Sequence, residues 1–110
     1  MTEQEFRHAA DRALDETLRA VLPLADREGF DIDREYGVLQ ITFDRPASTT
    51  VVVNAHAPAR QIWVSAMGRA YRLTWSTDAS AFTLDGETLS ALVERLTRDV
   101  LRGPGGDLGR

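Results

Sequence analysis

The stretch Val51–Trp75, VVVNAHAPARQIWVSAMGRAYRLTW, decides the fold. It reads as three short strands in succession. In Gln61-Ile62-Trp63-Val64-Ser65-Ala66 the polarity alternates, with Ile62, Val64 and Ala66 on one face and Gln61, Trp63 and Ser65 on the other. A half-buried strand hides its apolar face, so the largest side chain of the segment is left among polar neighbours. The flanking segments divide in the same way. Val51, Val53 and Ala55 oppose Val52 and Asn54, while Tyr71, Leu73 and Trp75 oppose Ala70, Arg72 and Thr74. If these strands are antiparallel neighbours, Asn54, Gln61, Trp63, Ser65 and Arg72 share one wet sheet face. A lone tryptophan there costs solubility, which points to a binding surface.

Outward from this stretch the pattern becomes helix, strands, helix. Thr2 and Glu5 have the spacing of a capping box. Phe6, Ala10, Ala13, Thr17 and Val21 then recur at helical spacing, and Pro23 predicts a kink or a stop near Leu22. Asp26 and Glu28 are expected between this helix and the next strand. Phe30–Glu35 alternates so that Asp31, Asp33 and Glu35 repel one another on one side, which places it near a sheet edge. Val38–Phe43 is a further strand, Arg45–Ser48 and Ala57–Pro58 are turns, and a short strand surrounds Phe82. The second helix is expected to start after Asp85 as N-cap, with a core stripe of Leu89, Leu92, Val93, Leu96 and Val100. Gly103–Pro104 ends it, leaving residues 104–110 as a flexible tail beyond a single domain, 1–103. The class is α+β: a two-layer sandwich with an N-terminal helix, about six mainly antiparallel strands and a C-terminal helix.

Composition narrows the function classes. Without cysteine there is no disulfide, thiolate metal site or cysteine nucleophile. No apolar run approaches the roughly 18–20 residues that span a bilayer, and the early acids are unlike a signal or transit peptide. A cytoplasmic location is expected, with no membrane partner. The net charge of −4 is uneven: residues 1–35 hold ten acids and five arginines, the remainder seven acids and eight arginines. Nucleic acid is a poor partner for so acidic a first third; cations and basic protein surfaces fit better.

No nucleophile-base-orienter set, P-loop or glycine-rich phosphate cradle occurs, so a non-enzymatic role is expected and no organic cofactor. Exposed carboxylates, by contrast, are hard oxygen ligands for Mg²⁺, Ca²⁺, Mn²⁺ and iron. His8, Asp11 and Asp15 fall on one face of the first helix, His8 reading as a surface histidine and His56 as a turn residue. Asp31, Asp33 and Glu35 form a second cluster, with Asp26 and Glu28 between the two in sequence. Open carboxylates keep their water, so binding there is expected to be weak.

The run Asn54-Ala55-His56-Ala57-Pro58-Ala59-Arg60-Gln61-Ile62-Trp63-Val64-Ser65 resembles the N-x-x-x-P-x-x-Q-[IV]-W-[LV]-[SA] strand of the frataxin family, which includes bacterial CyaY-like proteins. The order of elements from about Phe6 to Leu101 is similar as well. The resemblance implies a frataxin fold and an acidic ridge that binds ferrous and ferric iron. It implies a role as an accessory of iron–sulfur cluster assembly, docking on a cysteine desulfurase and its scaffold protein through Asn54, Gln61 and Trp63, with Ser65 and Arg72 on the same face. The ridge residues kept here are Asp11, Asp15, Asp26, Asp31, Asp33 and Glu35. Arg12, Arg19, Leu22 and Pro23 stand where family members often carry acids, which implies fewer or weaker iron sites. Phe82 stands where many have tryptophan. A monomer is expected, with iron-driven oligomerisation and a weak ferroxidase activity left open. The alternative is a small acidic secretion chaperone that binds an unfolded client as a dimer.

Overall fold

A computed structural model describes residues 1–103; the expected flexible tail at 104–110 lies outside the described residues. The first helix, α1, runs Glu3–Glu28. Its start is the capping box: the Thr2 N–H donates to Glu5 Oε1 at 2.8 Å, and the Glu5 N–H donates to Thr2 Oγ1 at 3.1 Å. Phe6, Ala10, Leu14, Thr17, Val21 and Leu24 form its buried stripe. Gly29 closes it at φ 81°, a left-handed cap whose N–H reaches the Ala25 carbonyl at 2.8 Å.

The expected break near Leu22 does not occur, because α1 continues through Pro23 for another turn. Leu22 and Pro23 both face solvent, so the carbonyl that loses its i→i+4 partner can be hydrated. Leu24 and the Gly29 cap hold the last turn in place. Asp26 and Glu28 therefore belong to the helix rather than to a linker.

Seven strands follow as an antiparallel meander in which each pairs with its sequence neighbours: β1 Asp31–Glu35, β2 Val38–Phe43, β3 Thr49–His56, β4 Gln61–Ala66, β5 Arg69–Ser76, β6 Ala81–Leu84 and β7 Glu87–Thr88. A 3₁₀ turn, Ala57–Ala59, joins β3 to β4. The final helix, α2, spans Leu89–Arg102. Seven strands rather than about six result from the Asp85–Gly86 step. Both residues have positive φ, 51° and 83°, as a type I′ hairpin turn requires. Asp85 is thus a turn residue and not a helix cap. Glu87 lies in β7, and Thr88 caps α2 by accepting from the Ala91 N–H at 3.3 Å.

Both helices cover one sheet face. Leu39, Ile41, Phe43, Val51, Val53, Ile62, Val64, Leu73 and Phe82 are buried from the sheet side, and Leu89, Leu92, Val93, Leu96 and Val100 from α2. Two threonines are sealed in with them. Thr17 Oγ1 donates back to the Ala13 carbonyl at 2.8 Å, whereas Thr97 Oγ1 has no partner among the described residues. An unpaired buried hydroxyl costs about 1–3 kcal/mol. Thr97→Val, of equal shape, should therefore raise stability by about 1 kcal/mol and the melting temperature by a few degrees. A lowered melting temperature in calorimetry would mean that the hydroxyl is satisfied.

The element ends also make stability depend on acid. The backbone N–H of Thr2, then its hydroxyl, hold the Glu5 carboxyl below its ordinary range. The Arg95 guanidinium, through bonds of 2.9 and 3.0 Å, does the same to Glu87. A carboxyl whose folded pKa is depressed stabilises the fold above its unfolded pKa and ceases to as pH falls through the folded value. Urea unfolding should therefore show stability falling below about pH 4.5, and Glu87→Gln should flatten that decline. An unchanged slope in the variant would remove Glu87 from the account.

Candidate functional site: an acidic edge and an open aromatic face

The face away from the helices is built by alternation. Trp63 stands opposite Asn54 on β3 and Arg72 on β5, and Ser65 opposite Val52 and Ala70. His56 pairs with Gln61, so both lie diagonal to this cluster. The five residues expected on one wet face, Asn54, Gln61, Trp63, Ser65 and Arg72, are brought together there. Trp63 is half-buried rather than fully exposed, because its neighbours clasp it. The His56 imidazole stacks on the indole at 3.8 Å between centroids and 17° between planes. The Arg72 guanidinium carbon lies 4.9 Å from the ring centroid, within cation–π range. The indole Nε1–H donates to Gln61 Oε1 at 2.8 Å. The stack, the cation–π contact and the hydrogen bond all favour this one orientation of the ring.

His56 is no mere turn residue. It ends β3 and supplies one wall of the aromatic cluster. The signal was present in the sequence, since alternation carried two residues past Asn54 lands on His56.

The acidic residues divide between two sides of one strand. β1 is the sheet edge, and its Asp31, Asp33 and Glu35 are exposed on the open face, opposite Thr42, Gln40 and Val38. Among the described residues none of the three is in an ion pair. Asp11 and Asp15 lie instead on the helix side, where Arg34 of β1 takes them both. Its Nη2 donates to the Asp11 carboxylate, and its Nε donates to Asp15 Oδ1 at 3.1 Å. Sequence reasoning overlooked Arg34, although its parity in β1 puts it on the inward face with Ile32, where a charge needs a partner. Asp26 and Glu28 are exposed in the last turn of α1, Glu28 lying 3.6 Å from Arg27. His8 lines a separate groove with Arg12, Glu16 and Trp75.

Among the described residues no three His, Asp or Glu side chains converge closely enough to hold a metal ion. What the arrangement offers a cation is a strip of free carboxylates along an edge strand, with water completing any coordination. It also leaves the open face polarised. Three acids stand at β1, and Arg72 stands on β5, four strands and roughly 19 Å away.

A two-layer α+β protein with a meander sheet, one bare face and an acidic edge is the class these features define. A family model for the frataxin-like domain matches residues 1–103. The iron-sulfur cluster assembly protein CyaY of Janthinobacterium sp. (strain Marseille) is 32% identical over 101 residues, covering 89% of each chain. The mitochondrial frataxin of Caenorhabditis elegans is 29% identical over 106 residues, covering 91% of this chain and 77% of that one. Among solved structures, a frataxin from Psychromonas ingrahamii superposes with a TM-score of 0.62 over 96% of this chain and 93% of that one, at 15% identity, a likeness of fold. The chain belongs to the frataxin family and resembles its bacterial CyaY members. None of these relatives is a secretion chaperone.

The clasp on Trp63 can be measured directly. With Trp75 changed to Phe, Trp63 is the sole indole. His56→Ala should then increase acrylamide quenching and red-shift the emission, at a cost to stability of about 0.5–1.5 kcal/mol for the lost stack. Emission unchanged by His56→Ala would show that the imidazole does not shield the ring.

Proposed function

We propose that this protein is an accessory of iron–sulfur cluster assembly which carries iron as loosely held cargo on its acidic edge. It docks through its open face on a cysteine desulfurase and the scaffold protein. Family membership and the names of its relatives support the process. The observation that carries the docking reading is the Trp63 cluster: an indole on the solvent-facing side of the sheet, already oriented by His56, Gln61 and Arg72. A pre-ordered aromatic with polar neighbours has the character of an interface hot spot, since little side-chain entropy remains to be lost on binding. Asn54 and Ser65, both exposed beside it, supply hydrogen-bonding groups at the rim.

Asp31, Asp33 and Glu35, with Asp26 and Glu28 at the end of α1, are the proposed iron surface, while Asp11 and Asp15, expected to join it, are paired with Arg34 across the edge strand. Ligands of this kind hold iron weakly and release it readily, which suits delivery rather than storage. The same charge attracts basic patches on a partner, an effect screened over about 8 Å at physiological ionic strength. The chain acts in the cytoplasm as a monomer and catalyses no reaction of its own.

Trp63→Ala, measured against an immobilised desulfurase–scaffold complex, should weaken binding by at least about tenfold, equivalent to 1.4 kcal/mol. Its melting temperature should fall much less than for Ile62→Ala, a core truncation costing about 2–5 kcal/mol. Undiminished binding by a folded Trp63→Ala chain would rule out the docking face.

A further inference from the structure

We infer that Arg34 is a built-in counter-ion which keeps metal off the helix side of the acidic edge and directs cationic cargo to the outward carboxylates of β1. The inference deepens the iron-carrying reading and rests on it for its biological meaning. Every arm of the guanidinium is engaged. Nε donates to Asp15 Oδ1, Nη2 to the carboxylate and backbone carbonyl of Asp11, and Nη1 to the Glu35 carbonyl. The side chain is only 15% exposed, whereas those of Asp11 and Asp15 are 49% and 46% exposed. The cation is therefore the sheltered member of the cluster, and the two acids close over it from α1.

That geometry sets up a competition which metal enters at a disadvantage. A divalent ion ligated by both Asp11 and Asp15 would have to expel the guanidinium. Arg34 would then be a largely buried cation stripped of its charge-assisted hydrogen bonds, a strongly unfavourable state. With Arg34 in place the three groups together carry one negative charge rather than two. On the opposite side of the same strand Asp31, Asp33 and Glu35 are exposed and in no ion pair among the described residues. Alternation along β1 thus turns Arg34 toward the half-compensated carboxylates of α1 and leaves Asp31, Asp33 and Glu35 facing outward without a cation.

Paramagnetic Mn²⁺ alone, titrated into the ¹⁵N-labelled full chain, tests this by which amides it broadens. In the wild-type chain broadening should be strongest at Asp31–Glu35 and weaken toward the helix amides of Asp11 and Asp15. Arg34→Leu should move the centre of broadening to Asp11 and Asp15, with at least about a tenfold gain in affinity there. Arg34→Gln serves the same purpose if the leucine variant does not fold. Removing any arginine makes the chain more negative, so Arg12→Gln, an exposed position of α1, is the charge-matched control and should change affinity by less than about twofold. The inference is overturned if wild-type broadening already centres on Asp11 and Asp15. It is equally overturned if the Arg34 variants leave the centre of broadening on β1 or gain no more than Arg12→Gln. Absence of wild-type broadening at Asp31–Glu35 sinks the iron-carrying reading and with it the directing role of Arg34, whereas the comparison of the Arg34 variants with Arg12→Gln alone decides whether Arg34 keeps metal off Asp11 and Asp15.

Discussion

A seven-stranded meander has two faces, and this chain has only two helices with which to cover them. Because α1 and α2 both pack on the same side, the residues of β2–β6 are under one constraint: apolar inward, tolerant of water outward. Leu39, Ile41, Val51, Val53, Ile62, Val64 and Leu73 meet the first half of it with no exposed surface. A one-residue slip of any central strand would turn that set into solvent, so the register is fixed by burial. Everything functional on the outward face inherits its position from this. Trp63 meets Asn54 and Arg72 because Ile62 must meet Ala55 and Leu73.

The same alternation reaches the sheet edge, where only Ile32 of β1 still packs against the core. At β1 it acts on charge instead. Ile32 and Arg34 turn toward the helix layer, while Asp31, Asp33 and Glu35 turn away. An arginine on the helix side of an edge strand is unusual chemistry for a core boundary and is tolerated only through its partners on α1. In return it ties the N-terminal helix to the first strand across 19 and 23 residues of sequence. The outward acids have a second effect: three carboxylates on an edge strand oppose pairing with another sheet edge.

The parts of the fold legible in the sequence were those governed by period. The central strands, their facing and both helical stripes follow from alternation at 2 and 3.6, and the Thr2–Glu5 cap follows from spacing. What alternation does not carry was misread. Pro23 is a helix breaker by rule, yet it sits on the wet side of α1 where water can replace the missing bond. Asp85–Gly86 satisfies a hairpin as well as a cap, and the choice depends on two further residues, Glu87 and Thr88, pairing with β6. The five residues of the open face were legible as a set, but the stack of His56 on Trp63 was not. It is a diagonal contact that needs the actual register, and His56 stands directly before the Ala57–Ala59 turn, at the last position of β3.

Charge distinguishes the two sides of the acidic edge. Arg12, Arg19, Leu22 and Pro23 all lie on the solvent side of α1. Helix α1 contains seven acids and four arginines, and Arg34 adds a fifth cation against it from β1. Asp31, Asp33 and Glu35 have no cation beside them on their own face until Arg72, four strands away. Three carboxylates without a neighbouring cation thus stand on the open sheet face. Cargo and partner would then meet on one surface: the carboxylates at β1 and the Trp63 cluster at β3–β5 belong to the same face of the same sheet. A ridge carried mainly by α1 would hold its ions around the corner from that cluster. Here the clasp of Arg34 takes Asp11 and Asp15, the β1 carboxylates stay exposed and in no ion pair among the described residues, and Glu35, in register with Trp63 three strands away, lies about 15 Å from it.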